Sequence, residues 1–520
     1  MRSPQSLGLY CYSVIIEAKV FPDHLPAGCG EYNIDTNVEK SQKPRYNTHM
    51  KNFMQKLSIF ALLLLLVFPV FGQTRFRGAV LDPAAYEQTD AKPVTRSSTV
   101  PPRLVSLRQF APSPGDQGQY GTCTGWATAY AARTISESIA LNRTNQAQST
   151  DNAFSPNFVY LGHYLSLGIT PTGQEGAVLS RILDFVRTTG AVRRQPFERT
   201  TAFNRISFSS FANIQLYPIS NYVRLFSNRA GTSGPVEERV TPVRRSLSEG
   251  KPVVIGMNTP ASFFNARDVW RPHETPTINH GGHAMCVVGY NDDIHGGAFE
   301  IQNSWGTSWG NNGYIWITYN DFARYVFEAF EMIENLANYR DSSRFAASIN
   351  IEIWNSQQGM PVSYDNQGFY RTRTSYPSGT TFRFLMTNRH PAYVYAFAAD
   401  TNSNEVTRIF PLEGVSPVMD YSDSTIAWPS EEDWMAMDNI TGTDYLVVLY
   451  SKRELDIASI QRRFALEAGS FTERVARAVG ANFIPYNTVQ YNASQIEFTA
   501  VSNNPSAIFG LLLAIDHHAR

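Results

Sequence analysis

The chain has 520 residues and a mass of 58.3 kDa, which is too long for one ordinary domain and predicts two or three. Hydrophobic residues make up 43% of the sequence and charged residues 17%, a composition that excludes a wholly disordered chain. The 44 Lys and Arg residues balance the 45 Asp and Glu residues, so the basic excess typical of nucleic-acid-binding proteins is missing and no nucleic-acid partner is expected.

The first element in chain order is a targeting signal. Residues 57–72 read LSIFALLLLLVFPVFG and follow a short basic stretch that begins at Met50. This order predicts a signal peptide over residues 50–72, with cleavage before Gln73 and a secreted or periplasmic protein. We interpret residues 1–49 as a gene-model extension. A membrane anchor is the alternative, but the apolar run is short and broken by proline, so we expect no stable membrane span.

The cysteines give no disulfide framework. The chain has Cys11, Cys29, Cys123 and Cys286, and the predicted processing removes the first two. Two cysteines in an exported protein need separate explanations.

Three regions follow the signal. Residues 73–104 are rich in Pro, Thr, Ser and Arg and are predicted to form an extended lead-in or short pro-segment. Residues 105–338 alternate helical and strand patterns, which indicates an α+β domain. Residues 346–520 show alternation with period 2 and predict a mainly β, sandwich-like accessory domain that can be separated by ending the chain near residue 340. Strands are predicted at 382–386, 393–399, 445–450 and 509–515, and helices near 454–465 and 471–480.

Cys123 is the first candidate for chemistry. It follows a glycine-rich loop, and a helical pattern begins at Trp126, so the cysteine lies at or just before a helix N-terminus. Unpaired N–H groups and the helix dipole favour a thiolate there. The alternative is a buried structural cysteine.

A histidine and an asparagine stand at two later strand ends. His283 opens an apolar strand-like run, with His280 as a rival base three residues earlier. Asn303 ends another predicted strand, and Trp305 follows it. The alternatives are a core histidine and an ordinary hairpin connection.

Together these pieces resemble the papain-like cysteine peptidases. Gln117 precedes Cys123 by six residues in QGQYGTC, His283 begins HAMCVVGY, and Asn303 begins NSWGTSWGNNGY. The separations are 160 residues from Cys123 to His283 and 20 from His283 to Asn303. The resemblance covers about residues 105–338. It implies a two-lobed domain, with a helical lobe and a β-barrel-like lobe, that hydrolyses peptide bonds in a peptide or protein substrate.

The resemblance also implies the role of each residue. Cys123 would be the nucleophile and His283 the base, with Asn303 orienting the imidazole under Trp305. The Gln117 side chain and the Cys123 N–H would form the oxyanion hole. Four glycines are expected to line the substrate cleft: Gly121, Gly173, Gly176 and Gly282.

No cofactor or metal is expected. A zinc site built from His280, His283 and Cys286 is the alternative, but His283 and Cys286 are three residues apart on a strand and should point to opposite faces.

Two other functions stay open. The first is a peptide- or surface-binding protein that keeps the peptidase fold without turnover, and the second is an acyl-transferase that uses the same thioester. The chain lacks the long helical inhibitory propeptide that is usual in the family. Its C-terminal region resembles an uncharacterised bacterial β-rich domain that is often fused to peptidases, and its ligand is open.

Overall fold

The architecture is described from a computed structural model, in which residues from Gln73 onward form one compact unit. The predicted extension and signal peptide lie outside the described residues. Among the residues described, no helix has the length and apolar character required to cross a membrane. The described ranges are 75–96, 100–198, 214–228, 234–336, 342–356, 358–366, 368–400, 406–420 and 424–520.

Most helices lie in the first half of the chain, and several have clear N-terminal signals. Asp82 accepts the N–H groups of Ala84 and Ala85 at the start of α1, and Ser155 caps α4, which also begins with a proline. The helices are α1 (Pro83–Gln88), α2 (123–140), α3 (Gln146–Asp151), α4 (Pro156–Ser166), α5 (Leu179–Thr188), α6 (Arg194–Phe197), α7 (Val236–Ser248), α8 (Tyr319–Tyr325), α9 (Ile457–Leu466) and α10 (Phe471–Val479).

The strands of the first half form one sheet. They are β1 (Ala79–Val80), β3 (Leu104–Ser106), β4 (Ala177–Val178), β5 (Asn221–Arg224), β6 (Val253–Asn258), β7 (Val269–Trp270), β8 (Gly282–Asn291), β9 (Ala298–Gln302), β10 (Tyr314–Thr318) and β11 (Val326–Ile333). The main order is β5-β11-β6-β8-β9-β10-β7, and β1 pairs with both β4 and β8. Strands β6, β8 and β9 are almost wholly buried, which matches their continuous apolar sequences.

The second half is mainly β. Its strands, together with β2 from the lead-in, are β2 (Thr95–Arg96), β12 (Arg344–Ile353), β13 (Val362–Tyr364), β14 (Phe369–Thr372), β15 (Tyr376–Pro377), β16 (Thr381–Asn388), β17 (Ala392–Asp400), β18 (Val406–Phe410), β19 (Val418–Met419), β20 (Ser424–Trp428), β21 (Met435–Ala436), β22 (Gly442–Ser451), β23 (Gln490–Tyr491), β24 (Ile496–Val501) and β25 (Ile508–His518).

These strands form two sheets that share one apolar core. One sheet has the order β2-β20-β16-β12-β24-β23, and the other has the order β13-β14-β25-β22-β17-β18. Ile349 and Phe384 from the first sheet pack in the same cluster as Val448 and Leu511 from the second. The period-2 pattern in the sequence therefore arises because successive residues of a strand point in turn to this core and to the outer face of the sheet. The four predicted strands and both predicted helices are confirmed with small shifts at their ends.

The lead-in differs from the extended segment that the sequence predicted. It contains α1, and it contributes β1 to the sheet of the first half and β2 to a sheet of the second half. Between these strands, Ala91 donates to the carbonyl of Gly414 over 2.7 Å, and the Lys92 N–H donates to the carbonyl of Arg224 over 2.9 Å. The lead-in thus joins the two halves, whose separability the sequence alone suggested.

Candidate active site

Cys123 is the first residue of α2, as the sequence predicted. The helix continues as a π-helical stretch over Trp126–Arg133 and then as an α-helix over Thr134–Ala140. Cys123 is completely buried, and its sulfur accepts a hydrogen bond from the Ala284 N–H over 3.4 Å. Because Ala284 follows His283 on β8, this bond holds the helix start against the strand that carries the histidine.

His283 is held by an amide and an indole. Its Nε2 lies 2.7 Å from Oδ1 of Asn303, and its ring stacks on Trp305 with centroids 4.6 Å apart. Because an amide oxygen only accepts hydrogen bonds, this contact fixes the Nε2–H tautomer. Nδ1 is buried and forms no hydrogen bond within the described part of the chain. The contact between His283 and Asn303 therefore leaves Nδ1 as the imidazole nitrogen that can accept a proton.

Asn303 is itself fixed by its surroundings. Its Oδ1 also accepts the N–H of Ser304 over 2.7 Å, and the next residue supplies the indole that covers the histidine. Strand β9 ends at Gln302, so Asn303 and Trp305 lie in the segment that follows it, where Trp305 forms a β-bridge with Asp116. The end of a strand and the pairing of this segment with the loop before Cys123 thus position the motif.

Gln117 lies beside these residues, and both the nitrogen and the oxygen of its side-chain amide already form hydrogen bonds. Its Nε2 donates to the carbonyls of Tyr120 over 2.7 Å and Phe76 over 3.2 Å, and its Oε1 accepts from the Ser304 hydroxyl over 2.6 Å. Ser304 is a positioning residue that the sequence analysis missed, although it lies within the NSWG motif.

The segment Arg75–Leu81, called the strap below, runs through the site. The N–H of Gly78 hydrogen-bonds to the sulfur of Cys123, and the Phe76 carbonyl accepts from the indole N–H of Trp305 over 3.1 Å. The side chain of Arg77 donates to the carbonyl of Thr259 over 2.8 Å and also to that of His280. The strap therefore covers the cysteine and bonds to groups on both sides of it.

Of the four glycines predicted for the cleft, Gly121, Gly176 and Gly282 contact the strap, and Gly173 is bonded to Gly121. The N–H of Gly121 donates to the carbonyl of Gly173 over 2.7 Å. Gly176 contacts Val80, and Gly282 pairs with Ala79. A side chain at position 282 would collide with the strap backbone, so this close approach requires glycine.

The protonation state of Cys123 differs from the thiolate that a helix start was expected to favour. Burial raises the pKa of Cys123 to about 11, although N–H groups of Ala284 and Gly78 point at the sulfur. Burial also lowers the pKa of His283 to about 4, against the opposing effect of the Asn303 hydrogen bond. Beneath the strap, loss of water disfavours the Cys123 thiolate more than the N-terminus of α2 favours it. The Cys123 thiol and the His283 imidazole are therefore both neutral at pH 7.

The other candidates lie elsewhere. His280 is half-buried, and its Nε2 lies 2.9 Å from the carbonyl oxygen of Thr275. Cys286 is buried, and burial raises the pKa of its thiol. Across the described ranges, no group of three or more His, Cys, Asp and Glu side chains is placed to hold a metal ion.

Comparison with known proteins agrees with this geometry. Residues 113–332 match the model of the family described as "Papain family cysteine protease". An uncharacterized peptidase C1-like protein of Acanthamoeba polyphaga mimivirus is 29% identical over 252 residues, a match that covers 45% of this chain and 70% of the relative. Peptidase 1 of Dermatophagoides farinae is 24% identical over 213 residues, covering 41% of this chain and 58% of the relative.

A solved structure shows the same partial coverage. The crystal structure of xylellain, a cysteine protease from Xylella fastidiosa, is 22% identical with a TM-score of 0.40 and covers 50% of this chain and 97% of its own. The family match includes Cys123, His283 and Asn303 and leaves out the strap and the second half. Residues 113–332, less than half of the chain, are thus similar to papain-family cysteine proteases, and this similarity supports a cysteine-type peptidase.

Proposed function

We propose that the protein is an exported peptidase that hydrolyses peptide bonds with Cys123 as nucleophile, His283 as base and Asn303 as the residue that orients the base. The observation that carries this proposal is the 2.7 Å contact between His283 Nε2 and Asn303 Oδ1 under the Trp305 ring. This contact fixes the tautomer in which Nδ1 of His283 can take a proton. The residue after His283, Ala284, donates its N–H to the Cys123 sulfur and so holds the two residues near each other.

The reaction follows from these groups. His283 Nδ1 takes the proton of the Cys123 thiol, and the sulfur electron pair attacks the carbonyl carbon of a peptide bond. The negative oxygen is stabilised by the Gln117 Nε2–H and the Cys123 N–H, and losing one such donor typically costs about 2.7–4 kcal/mol. The imidazolium protonates the leaving amine as the C–N bond breaks. Water then hydrolyses the thioester, and its proton returns through His283 to the sulfur.

The strap is an inhibitory pro-segment in this proposal. It buries the nucleophile, and its Phe76 carbonyl accepts the Gln117 N–H that the mechanism requires for the oxyanion. Substrate and strap therefore compete for the same donors. Hydrolysis requires the strap to leave, which exposes a cleft between the helical side that carries Cys123 and the sheet side that carries His283.

Export through the predicted signal at 50–72 is supported by the sequence pattern alone. N-terminal sequencing of exported protein tests it, and we expect a start near Gln73. Peptides from residues 1–49 in that material would contradict the processing that we propose.

The function is tested with a fluorogenic peptide library and two cysteine variants. Cys123→Ala should abolish hydrolysis while its thermal unfolding stays close to that of the wild type. Cys286→Ser is the matched control and should keep most activity, because this thiol lies within strand β8 and the mechanism does not use it. Folded Cys123→Ala that still turns over substrate would remove Cys123 as nucleophile.

A further inference from the structure

The two sheets of the second half differ in what covers their outer faces. Leu449 on β22 lies outside the core that the sheets share and packs in one cluster with Ile460 of α9. On the outer face of the other sheet, Asn350 on β12 is exposed and Leu385 on β16 is half-buried. These two residues lie directly opposite each other in the antiparallel pair. This outer face, called the open face below, is therefore accessible to solvent.

A groove with a volume of about 630 Å³ crosses the open face. This volume is within the usual range for small-ligand sites, about 300–1,000 Å³. Strands β12, β16 and β20 line the groove together with residues 359–362 and 494–496, and none of these described lining residues is charged. Hydroxyl and amide side chains predominate among its polar groups, namely Ser348, Asn350, Thr387, Thr425, Ser494 and Gln495. The groove therefore offers uncharged hydrogen-bonding groups to a ligand.

Two amides of the groove are not used by the fold. The side chains of Asn350 and Gln495 form no hydrogen bond within the described residues, whereas the hydroxyls of Thr387 and Thr425 are bonded to each other over 2.7 Å. A Cβ atom at position 359 would lie only 2.8 Å from Oδ1 of Asn350, so Gly359 leaves this amide accessible. A ligand can therefore bond to both amides without breaking a hydrogen bond within the protein.

An aromatic pair stands at one end of the groove. Gly359, which lines the groove, forms a β-bridge with Glu352, and Glu352 accepts the Nε–H of Arg383 over 2.7 Å. The Arg383 guanidinium lies 4.1 Å from the centroid of the Trp434 ring. Trp434 meets Trp354 edge to face with centroids 4.8 Å apart, and Trp354 is 50% exposed. These contacts place an exposed indole beside the groove, held by an ion pair whose charges neutralise each other.

We propose that the open face binds an uncharged oligosaccharide, with one sugar ring on Trp354 and the following rings in the groove. This inference does not depend on catalysis by Cys123. A sugar ring has an apolar C–H face, which suits an exposed indole, and hydroxyls around its edge, which suit the amides of Asn350 and Gln495. A ligand that is rich in hydroxyls and carries no charge matches both the polarity and the neutrality of the lining.

The same observations disfavour two other classes of partner. A nucleic acid also stacks on indoles, but it needs cations for its phosphates, and Arg383 is already paired with Glu352. An extended peptide usually adds to the free edge of a sheet through its backbone. Strand β12 is paired with β16 on one side and β24 on the other, so this face offers side chains instead.

The test is titration calorimetry of the full chain with soluble hexasaccharides of glucose, N-acetylglucosamine, mannose and galactose at millimolar concentration. We expect at least one of them to bind with one site per chain. Trp354→Ala should raise its Kd about tenfold or more, whereas Trp354→Phe should keep most of the affinity because a ring remains. Asn350→Ala should also weaken binding. Leu466→Ala is the control, since this leucine is 87% exposed at the end of α9, and its Kd should be unchanged.

Each other outcome overturns the proposal. One is that none of the four hexasaccharides binds, and another is that binding persists unchanged in folded Trp354→Ala and Asn350→Ala. Selection of a peptide from a random library, with binding lost in Trp354→Ala, would assign the open face to a protein partner. A dimer that Trp354→Ala dissociates, measured by sedimentation equilibrium, would assign it to a second copy of this chain.

Discussion

At the scale of single residues, the decisive contact is between Asn303 and His283. The amide oxygen fixes which imidazole nitrogen carries the proton, and the Trp305 ring keeps water away from that bond. A merely structural asparagine would affect stability and leave the rate per folded molecule unchanged. An orienting asparagine affects the rate and its pH dependence instead.

We therefore predict that Asn303→Ala lowers kcat/KM by roughly ten- to a thousand-fold, less than the loss of Cys123 or His283. The pH profile of kcat/KM is measured in the chain carrying Gly78→Ala, a change that should release the strap because a Cβ atom there would collide with the Gly121 carbonyl. It should be bell-shaped and report the coupled titration of Cys123 and His283. In Asn303→Ala its upper limb should move to lower pH, because imidazolium loses an acceptor. Asn311→Ala, at an exposed position in the same motif, is the control. An unchanged profile with normal turnover in folded Asn303→Ala would contradict this role.

The strap-covered state makes a second prediction at this scale. Burial disfavours the charged imidazolium, so His283 should titrate near its shifted pKa of about 4 when followed by NMR. In the Gly78→Ala chain, water and a forming thiolate both favour imidazolium, so its pKa should rise. The signal is assigned by its loss in His283→Gln. An identical titration in both chains would show that the strap does not determine the charge state.

The sequence allowed these residues to be identified because their geometry is local. Cys123 lies at a helix start, His283 at a strand start and Asn303 directly after a strand, and each position follows from a few neighbouring residues. The role of Ser304 could not be identified in this way. Its hydroxyl donates to the Gln117 side chain, and this contact joins residues 187 positions apart.

At the scale of elements, the strap is the feature with the largest consequence. Its β1 pairs in parallel with β4 and also contacts β8, so it bridges both sides of the cleft. A two-residue strand carries almost no periodic signal, which is why the sequence indicated only an extended lead-in. The longer strands of the second half have eight to eleven residues and were predicted, because their alternation is repeated several times.

Gly78→Ala should release the strap. A Cβ atom at this position would collide with the carbonyl of Gly121, a rigid backbone group, so the strap must move away. We expect labelling of Cys123 by a cysteine-directed epoxide to accelerate at least tenfold, with a parallel gain in peptide hydrolysis. Ala84→Ser, on the exposed face of α1, is the control. An unchanged labelling rate in Gly78→Ala would mean that the strap does not limit access.

At the scale of the whole molecule, the two halves share buried contacts. Ile333 and Leu336 from the first half pack in one cluster with Tyr395 and Leu449 from the second. Lys251 forms an ion pair with Asp420 across the same boundary over 2.5 Å. The hydrophobic period in the sequence changes between the two halves, but it does not indicate whether the surfaces of the halves pack together. Two separable domains were therefore the simplest interpretation of the sequence.

Lys92 of the lead-in connects this boundary to the peptidase domain. Its ammonium group contacts Glu249 over 2.5 Å and Glu331 over 2.8 Å, and all three side chains are largely buried. Lys92→Ala leaves these carboxylates without their shared cation, so we predict a loss of about 3–5 kcal/mol in the free energy of unfolding. The exposed Arg324→Ala is the control. Calorimetry should show one transition that shifts as a whole.

Two separate unfolding transitions, with only one of them shifted by Lys92→Ala, would contradict the prediction that the two halves unfold as one cooperative unit. That result would restore the separable accessory domain that the sequence suggested. A chain that ends at Leu336 would then stay soluble, whereas the shared cluster predicts that it exposes Ile333 and aggregates.

The central claim is that Cys123 is the nucleophile of a peptidase whose cleft the strap covers. The most direct measurement is mass-spectrometric mapping of the adduct that a cysteine-directed epoxide forms with the folded Gly78→Ala chain. We predict one adduct, on Cys123, which disappears in Cys123→Ser and persists in Cys286→Ser. An adduct on Cys286 instead, or a Cys123 that stays unlabelled while peptide hydrolysis continues, would contradict the claim.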